Sequence, residues 1–247
     1  MNLAKLQRNW DLLGRADPLW AIAFDWRKRG NRWRPDEFFA TGRREVARLL
    51  AGLERIGVPV GGGRALDFGC GAGRLTQALA ARFDEVDGVD IAPSMLALAE
   101  RSNRHGARCR YHLNASDDLA LFAGGTFDFA LSLLVLQHVE NRHARGYLTE
   151  LVRVLRPGGV LVVGVPSHPR ATLRGRLFAL LPNGALNVWR RLRYRHWGVM
   201  ELHGLPREEV VALLRGAGGR VVEVTPDDAL GSDWHAYRYV AVKAPPA

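Results

Sequence analysis

The sequence is poor in lysine and cysteine. The lysine shortage bears on how its positive charge is interpreted, and the cysteine shortage excludes a disulfide scaffold. Only three of the 35 basic residues are lysines. The formal charge of +10 is therefore carried mostly by arginine, which together with the many alanines and glycines is more typical of a GC-rich coding bias than of a selected surface. The two cysteines, Cys70 and Cys109, are too few for a disulfide scaffold, and we expect no structural disulfide.

Long apolar runs are absent as well. No stretch approaches the roughly 18 apolar residues of a membrane span, and residues 1–13 lack the apolar core of a signal peptide. We therefore expect a cytoplasmic protein with no membrane span. Internal repeats and clusters of metal ligands are also missing, so no metal site is predicted. The 247 residues, 47% apolar and 24% charged, are typical of a globular domain with additions.

A glycine-rich turn is the most informative feature that is present. Residues Ala65 to Leu75 predict a buried strand, a turn with Gly69, Gly71 and Gly73, and the start of a helix. Glycines let the backbone approach a ligand, and the first N–H groups of a helix are free donors. A dinucleotide-binding turn requires a third glycine at the sixth position, where this chain has Arg74.

A carboxylate follows at the end of the next predicted strand. Asp90 lies seventeen residues after Gly73, which leaves room for one helix, Arg74 to Arg82, between two parallel strands. A carboxylate in this position accepts hydrogen bonds from the two hydroxyls of a ribose. Alternatively, Asp90 caps the helix that begins near Pro93. Both interpretations are compatible with the sequence.

Two further motifs come in order along the chain. Residues Phe127 to His138 begin with a Phe-Asp pair and predict a fourth strand, and Val154 to Val163 contain Leu-Arg-Pro-Gly-Gly before a fifth. Together with the glycine turn and Asp90, these motifs resemble the class I S-adenosylmethionine (SAM) dependent methyltransferases. The resemblance covers roughly residues 60–166 in detail.

The resemblance implies an α/β fold with three layers, α/β/α, and a Rossmann-like sheet of seven strands. The implied strand order is 3-2-1-4-5-7-6, with the seventh strand antiparallel. The alternation of strands and helices up to Val165 independently predicts a parallel sheet. We expect an N-terminal helical cap at 1–60 and a methyltransferase domain at 61–247, with a lid insertion after strand 5 at 167–205.

The resemblance also implies SAM as cofactor and S-adenosylhomocysteine (SAH) as product. Asp67 would lie near the amino acid end of SAM, and Ile91 and Met95 would pack against the adenine. Asn114 stands where an Asp is common, so the contact to the adenine amino group stays open. The full predicted set of cofactor residues is Asp67, Gly69, Cys70, Gly71, Gly73, Asp90, Ile91, Met95, Asn114, Ala115, Ser116, Ser132 and Leu133.

Methyl transfer is an in-line displacement that depends mainly on alignment and needs a base when the acceptor is protonated. His138 is the first candidate because it follows the fourth strand at the carboxyl edge of the sheet. Its Leu-Gln-His context also fits a role in shaping the loop. The alternative histidines are His168, His196, His203 and His235.

The acceptor is constrained mainly by exclusion. DNA amine methyltransferases carry an Asn/Asp-Pro-Pro-aromatic motif where this chain has Ser132 to Val135, and neither cysteine suits carbon-5 pyrimidine chemistry. The sequence favours transfer to oxygen or nitrogen of a small molecule, such as a natural-product, sugar or lipid-linked anion. An RNA methyltransferase and a non-catalytic SAM-binding module are the alternatives. The sequence is compatible with a monomer or a homodimer.

Arginines and tryptophans concentrate outside the predicted core. One basic cluster comprises Arg27, Lys28, Arg29, Arg32 and Arg34, and the other comprises Arg170, Arg174, Arg176, Arg190, Arg191, Arg193 and Arg195. Such clusters usually face water, and an anionic small substrate is the next interpretation, ahead of nucleic acid. All seven tryptophans lie outside residues 64–165. They indicate either a pocket covered by the added segments or simple packing of those segments.

Overall fold

The computed structural model describes residues 2–172, 199–231 and 233–245. Seven strands form one sheet in the order β3-β2-β1-β4-β5-β7-β6. Strands β1 to β5 pair in parallel, and β7 is antiparallel to both of its neighbours. The predicted fold class is confirmed. The strands are β1 Arg64–Phe68, β2 Glu85–Asp90, β3 Cys109–Leu113, β4 Phe127–Ser132, β5 Leu155–Pro169, β6 Gly219–Pro226 and β7 Trp234–Lys243.

Helices alternate with the strands and precede them. A proline in the first turn begins α2, α3 and α5, where its fixed φ suits the helix and its missing N–H is not needed. The helices in the described ranges are α1 Leu3–Ala16, α2 Pro18–Ile22, α3 Pro35–Arg55, α4 Arg74–Leu79, α5 Pro93–Arg101, α6 Asn141–Arg153 and α7 Arg207–Gly216. None of them has the length and apolar character that crossing a bilayer requires.

The core lies on both faces of the sheet. Strand β4 is buried along its whole length, as expected for a central parallel strand covered on each side. Helices α3 and α4 pack their apolar residues on one face, and α6 and α7 pack theirs on the other. This arrangement leaves the carboxyl ends of the strands as the edge at which a ligand can bind.

Helix α1 is fixed to the start of α5. Ser94 donates two hydrogen bonds to Asp11, from its backbone N–H to Oδ1 and from its hydroxyl to the carbonyl, both at 2.9 Å. The Gln7 side chain donates to the Ile91 carbonyl at 3.0 Å. A Cβ at Gly14 would collide with the Ser94 side chain, so the close approach requires glycine. Helix α1 therefore lies at the carboxyl edge of the sheet.

Strand β5 extends further than the sequence predicts. Strand β5 continues to Pro169, beyond the predicted start of the lid at residue 167, because β7 stays paired to it as far as Trp234. Most of the predicted lid, with Arg174 to Arg195, Trp189, His196 and Trp197, lies outside the described residues.

Candidate active site

A cleft opens at the carboxyl ends of β1, β2 and β4. It encloses about 900 Å³, including its solvent-open mouth. The cleft brings together ten of the residues predicted from the sequence: Asp67, Gly69, Cys70, Gly71, Asp90, Ile91, Met95, Asn114, Leu133 and His138.

The glycine turn forms one wall of the cleft. Gly69 and Gly71 have φ values of 79° and 53°, in the left-handed region that favours glycine. A Cβ at Gly69 would collide with Val135, and one at Gly71 would come within 2.7 Å of Ile22 Cδ1. The N–H groups of Gly69 and Cys70 both donate to the Val89 carbonyl, at 2.7 and 3.0 Å. The turn is thus held on the end of β2 with its bare backbone exposed to the cleft.

Asp90 joins the glycine turn to the start of α5. Its Oδ2 accepts the Gly71 N–H at 2.8 Å, and its Oδ1 accepts the Ala92 N–H at 2.8 Å. Ala92, not Asp90, is the N-cap residue of α5. Burial raises the pKa of Asp90, while the backbone hydrogen bonds from Ala92 and Gly71 act in the opposite direction. Each carboxylate oxygen still has a second lone pair with which to accept a ligand hydroxyl.

Asp67 lies at the floor of the cleft. It is 2% exposed, and its Oδ2 accepts the Thr76 hydroxyl at 2.7 Å. Burial raises its pKa to about 6, although the Thr76 hydrogen bond favours the ionised form. A cationic group bound beside Asp67 would stabilise the carboxylate and lower this pKa.

Four predicted cofactor residues do not line the cleft. Gly73 has φ 78° and begins α4, with Tyr111 packed where a Cβ would lie, so its role is to fit the turn against β3. Ser132 is fully buried within β4. Ala115 and Ser116 are exposed to solvent on the loop after β3.

The loop after β3 is organised by its own hydrogen bonds. The Asn114 amide donates to the Asp118 carbonyl at 2.7 Å, and its Oδ1 accepts the Ser116 N–H at 3.2 Å. The Tyr147 hydroxyl donates to the Ser116 carbonyl from α6. These bonds bring Asn114 to the cleft and leave the side chains of Ala115 and Ser116 outside.

The N-terminal helices cover the cleft. Leu6 and Trp10 of α1 and Ala21 and Ile22 of α2 all line it. The tryptophan distribution suggested such a cover for Trp10, but the other three residues were missed. Their apolar spacing is equally typical of ordinary core packing.

Most of the remaining tryptophans in the described residues only pack the added segments. Trp20 and Trp234 are buried, and the Trp33 indole donates to the Ala23 carbonyl at 3.1 Å. Trp26 is exposed. The packing interpretation thus applies to three of these residues, and Trp10 contributes to the cleft.

His138 follows β4 in a short 3₁₀ turn, Leu136–His138. Its Nδ1 lies 2.9 Å from the Glu201 carbonyl oxygen, and its ring meets Trp10 edge to face, with 5.0 Å between centroids. Because a carbonyl only accepts, Nδ1 carries the proton in the neutral ring and Nε2 is the basic nitrogen. This is the tautomer that a general base at Nε2 requires.

Residues around Glu201 hold the carbonyl that orients His138. The Glu201 carboxylate is 3.6 Å from Lys5 Nζ and 3.2 Å from His203 Nε2. The backbone N–H of His203 donates to the Gln137 carbonyl at 2.8 Å. Burial lowers the pKa of His203, and the nearby Glu201 carboxylate partly opposes this effect. His203 therefore supports the His138 loop without lining the cleft itself.

The histidines of the β5–β7 ribbon lie elsewhere. His168 and His235 face each other across the two strands, with 4.6 Å between ring centroids, and neither lines the cleft. Burial lowers the pKa of His235, and the neighbouring His168 and Arg170 act in the same direction. Neither residue is placed to serve as the base in the cleft.

Leu134 is a cleft residue that the sequence does not reveal. Its φ is 62°, an uncommon value for a branched side chain. Such a conformation costs of order 1–3 kcal/mol and persists only where the surroundings impose it. The strain occurs where the chain leaves β4, between Leu133 and Val135 on the cleft wall.

The motifs and the sheet order agree with what comparison finds. Residues 65–159 match a family described as "Methyltransferase domain". The demethylmenaquinone methyltransferase of Tropheryma whipplei is 36% identical over 120 residues, which cover 49% of this chain and 48% of that protein. The ubiquinone biosynthesis O-methyltransferase of Xylella fastidiosa is 34% identical over 170 residues, which cover 68% of this chain and 65% of that protein. The chain belongs to the class I SAM-dependent methyltransferase family.

Solved structures support the fold of this methyltransferase family member. The magnesium protoporphyrin IX methyltransferase of Synechocystis, determined with bound SAH, has a TM-score of 0.62 and 18% identity, covering 96% of this chain and 98% of that one. A phosphoethanolamine N-methyltransferase of Haemonchus contortus has a TM-score of 0.59 and 20% identity, and the match covers 81% of this chain and 53% of that one. The chain spans about half the length of the first curated relatives it matches.

Proposed function

We propose that this chain transfers a methyl group from SAM to an oxygen or nitrogen atom of a small molecule. The observation that carries the proposal is the meeting of Asp90, the bare backbone of the glycine turn and His138 in one cleft. A carboxylate that could bind a ribose and a candidate base thereby line the same cleft.

The residues of the cleft fit the parts of SAM. The open lone pairs of Asp90 suit the ribose hydroxyls, and Gly69 and Gly71, which line the cleft, offer backbone for close contact with the methionine moiety. Asp67 suits the ammonium group. Ile91 and Met95 offer apolar walls for the adenine.

SAM supplies a methyl group already activated on a sulfonium, so the protein has mainly to align the acceptor. His138 would accept the proton of an acceptor hydroxyl or amine at Nε2, while the Glu201 carbonyl holds the proton on Nδ1. Trp10 packs against the ring and restricts its orientation. A positive imidazolium formed in the reaction would then be stabilised by the same carbonyl.

The N-terminal residues complete the site in this proposal. Residues 1–60 would act as a cap on the domain at 61–247, because α1 and α2 cover the cleft with apolar side chains. Water would thereby be kept from the reacting atoms.

The lining of the cleft favours an acceptor with a substantial apolar part. Apart from the residues assigned to SAM, its lining is mostly apolar and includes Leu6, Trp10, Leu134 and Val139. The curated relatives named above act in menaquinone and ubiquinone biosynthesis, which is compatible with an aromatic acceptor. An anionic group on the acceptor stays a prediction, since most of the second arginine cluster lies outside the described residues.

The test combines calorimetry with a transfer assay. We expect SAM and SAH to bind the purified protein, and radiolabelled SAM to pass its methyl group to members of a panel of phenols, amines and sugar phosphates. Absence of binding by both compounds at high micromolar concentration would refute the proposal. Binding without any transfer would favour the non-catalytic module, and salt-sensitive transfer to RNA would favour the RNA methyltransferase.

A further inference from the structure

Two large aromatic side chains protrude just after α2. Phe24 is 55% exposed and Trp26 is 54% exposed. Their rings contact each other edge to face with 4.9 Å between centroids, and both also contact the buried Trp20. We call Phe24 and Trp26 the aromatic tip. Transfer of this exposed ring surface from water to an apolar phase would be favourable, and the contacts within the described residues leave that surface in water.

Cations surround the aromatic tip. Residues 27–34 contain Arg27, Lys28, Arg29, Arg32 and Arg34 and no acidic residue; we call these five cations the basic rim. Arg27 and Arg32 are exposed and form no ion pair within the described residues.

The acidic residues that flank the basic rim in sequence, Asp25, Asp36 and Glu37, are fewer than its five cations, and Asp36 pairs with Arg104 outside the rim. Asp25 accepts the Arg27 N–H at 2.9 Å, and Glu37 pairs with Lys28 Nζ at 2.6 Å. Asp17 is buried and accepts the backbone N–H groups of Gly30 and Asn31. The basic rim therefore presents net positive charge to an external partner.

We propose that the aromatic tip and the basic rim bind the surface of an anionic lipid bilayer. Tryptophan and phenylalanine rings partition to the boundary between head groups and acyl chains, and cations beside them are attracted by anionic head groups. Stable attachment at an interface takes two such signals acting together, and this surface combines both. It requires no spanning helix.

The arrangement of the rings disfavours single-stranded nucleic acid as the partner. Bases stack on open aromatic faces along a basic groove. Here the two rings of the aromatic tip pack against each other and against Trp20, and the Arg29 guanidinium lies 6.0 Å from the centre of the Trp26 ring. The tip is a wedge suited to insertion and offers little flat surface for stacking.

Bilayer attachment at this place would bring the cleft to the lipid. Ile22 lies two residues before Phe24, lines the cleft and lies against Gly71. A protein held by the aromatic tip would therefore present the α2 side of its cleft towards the membrane surface, from which an apolar acceptor can enter. The attachment itself is independent of methyl transfer.

Co-sedimentation of the full chain with vesicles tests the proposal. The probes are phosphatidylcholine vesicles with and without phosphatidylglycerol. We expect binding to the anionic vesicles and at least tenfold weaker binding for the double variant Phe24→Ser, Trp26→Ser. The matched control is Leu113→Ser, Leu121→Ser, which removes two exposed apolar side chains elsewhere and should bind as the parent does.

A charge variant provides the second arm. Arg27→Gln, Arg32→Gln should weaken binding to anionic vesicles about fivefold for each charge removed, whereas Arg101→Gln, Arg215→Gln, exposed on α5 and α7, should have little effect. SAM affinity is measured without vesicles. It shows whether each variant is folded, and it tests the proposed function independently of vesicle binding.

Three outcomes would overturn the proposal. The first is failure of the protein to bind anionic vesicles, and the second is equal binding to neutral and anionic vesicles. The third is vesicle binding that is retained in full by the double variant of the aromatic tip and by that of the basic rim. Tighter binding to polyuridylic acid than to vesicles, abolished by the same variants, would assign the surface to nucleic acid instead.

Discussion

The carboxylate of Asp90 accepts a hydrogen bond from the backbone N–H of Gly71, with 2.8 Å between the two atoms. The same carboxylate accepts the Ala92 N–H, so one side chain fixes both the glycine turn and the entry to α5. These two segments form adjoining walls of the cleft. The geometry of the candidate cofactor site thus depends on the end of β2.

Replacement of Asp90 should therefore weaken SAM binding strongly. Hydrogen bonds to a charged group are worth about 1.5–3 kcal/mol, so Asp90→Ala should raise the Kd for SAM roughly tenfold to a hundredfold in calorimetry. The control is Asp84→Ala, an exposed carboxylate just before β2. An unchanged Kd in Asp90→Ala would mean that Asp90 serves only to hold the backbone.

The glycine turn can be tested against another glycine that has a similar, left-handed backbone conformation. Gly71→Ala should destabilise the protein and weaken SAM binding, because a Cβ would both strain φ and meet Ile22. Gly57 has φ 69° with no atom near the Cβ position. Gly57→Ala should thus cost only the roughly 1–2 kcal/mol of the left-handed conformation and leave SAM affinity intact. Urea unfolding and calorimetry measure the two effects, and equal SAM affinities in both variants would contradict the assignment.

SAM affinity should fall in acid because of Asp67. Burial raises the pKa of this carboxyl to about 6, so the group is ionised above that pH and neutral below it. Because the proposed contact between Asp67 and the ammonium of SAM requires the ionised form, affinity should drop as the pH decreases from about 7 to about 5, approaching tenfold per unit below the pKa. Asp67→Asn should bind weakly at every pH and lose this dependence. A similar pH profile in Asp67→Asn would assign the titration to another group.

His138 should affect the transfer step without affecting SAM binding. Loss of a general base lowers rates by about 10²- to 10⁴-fold, so His138→Gln should show this reduction in kcat with an unchanged Kd for SAM. His105→Gln, at an exposed histidine, is the control. A reduction below tenfold would indicate that His138 shapes the loop after β4 and takes no proton.

Asp87 should stabilise the fold and not the site. It is fully buried, and although burial raises its pKa, hydrogen bonds from His112 and Arg64, at 2.7 and 2.6 Å, lower the pKa below its ordinary value. Its stabilisation is therefore present above the ordinary pKa and is lost as the pH falls through the lowered one.

Asp87→Asn should accordingly lower the free energy of unfolding by about 1–3 kcal/mol at neutral pH, and by less in acid. Asp36→Asn is the control, because its ion pair with Arg104 is exposed and should contribute at most about 1 kcal/mol. Urea unfolding at several pH values provides the measurement. A loss that does not change with pH would contradict the charge-based explanation.

The fold was predictable because the motifs that carry it are local. The glycine turn, the carboxylate of β2 and the turn before β5 each occupy a few consecutive residues, and the alternation of elements restricts how they connect. The extra length of β5 was not predictable, since the pairing that extends it joins Pro169 to Trp234.

The site was only partly predictable for the same reason. Local motifs identified the glycine turn and Asp90, whereas the partner of His138 is a carbonyl 63 residues away in sequence. Any residue type can supply a backbone carbonyl, so no sequence pattern marks it. The predicted positions Ala115 and Ser116 failed to reach the cleft because Asn114 and Tyr147 use them to close a loop.

By itself the sequence determined the alternation of strands and helices and the motifs that resemble the family, because these depend on short segments with fixed spacing; the strand order and the proposed cofactor residues followed from that resemblance. The tertiary structure alone decided which side chains of α1 and α2 line the cleft, that Leu134 is held at positive φ and that Phe24 and Trp26 protrude beside the basic rim. Each of these features arises from packing between distant segments, and the burial or exposure of an apolar residue is set by what the rest of the chain places against it.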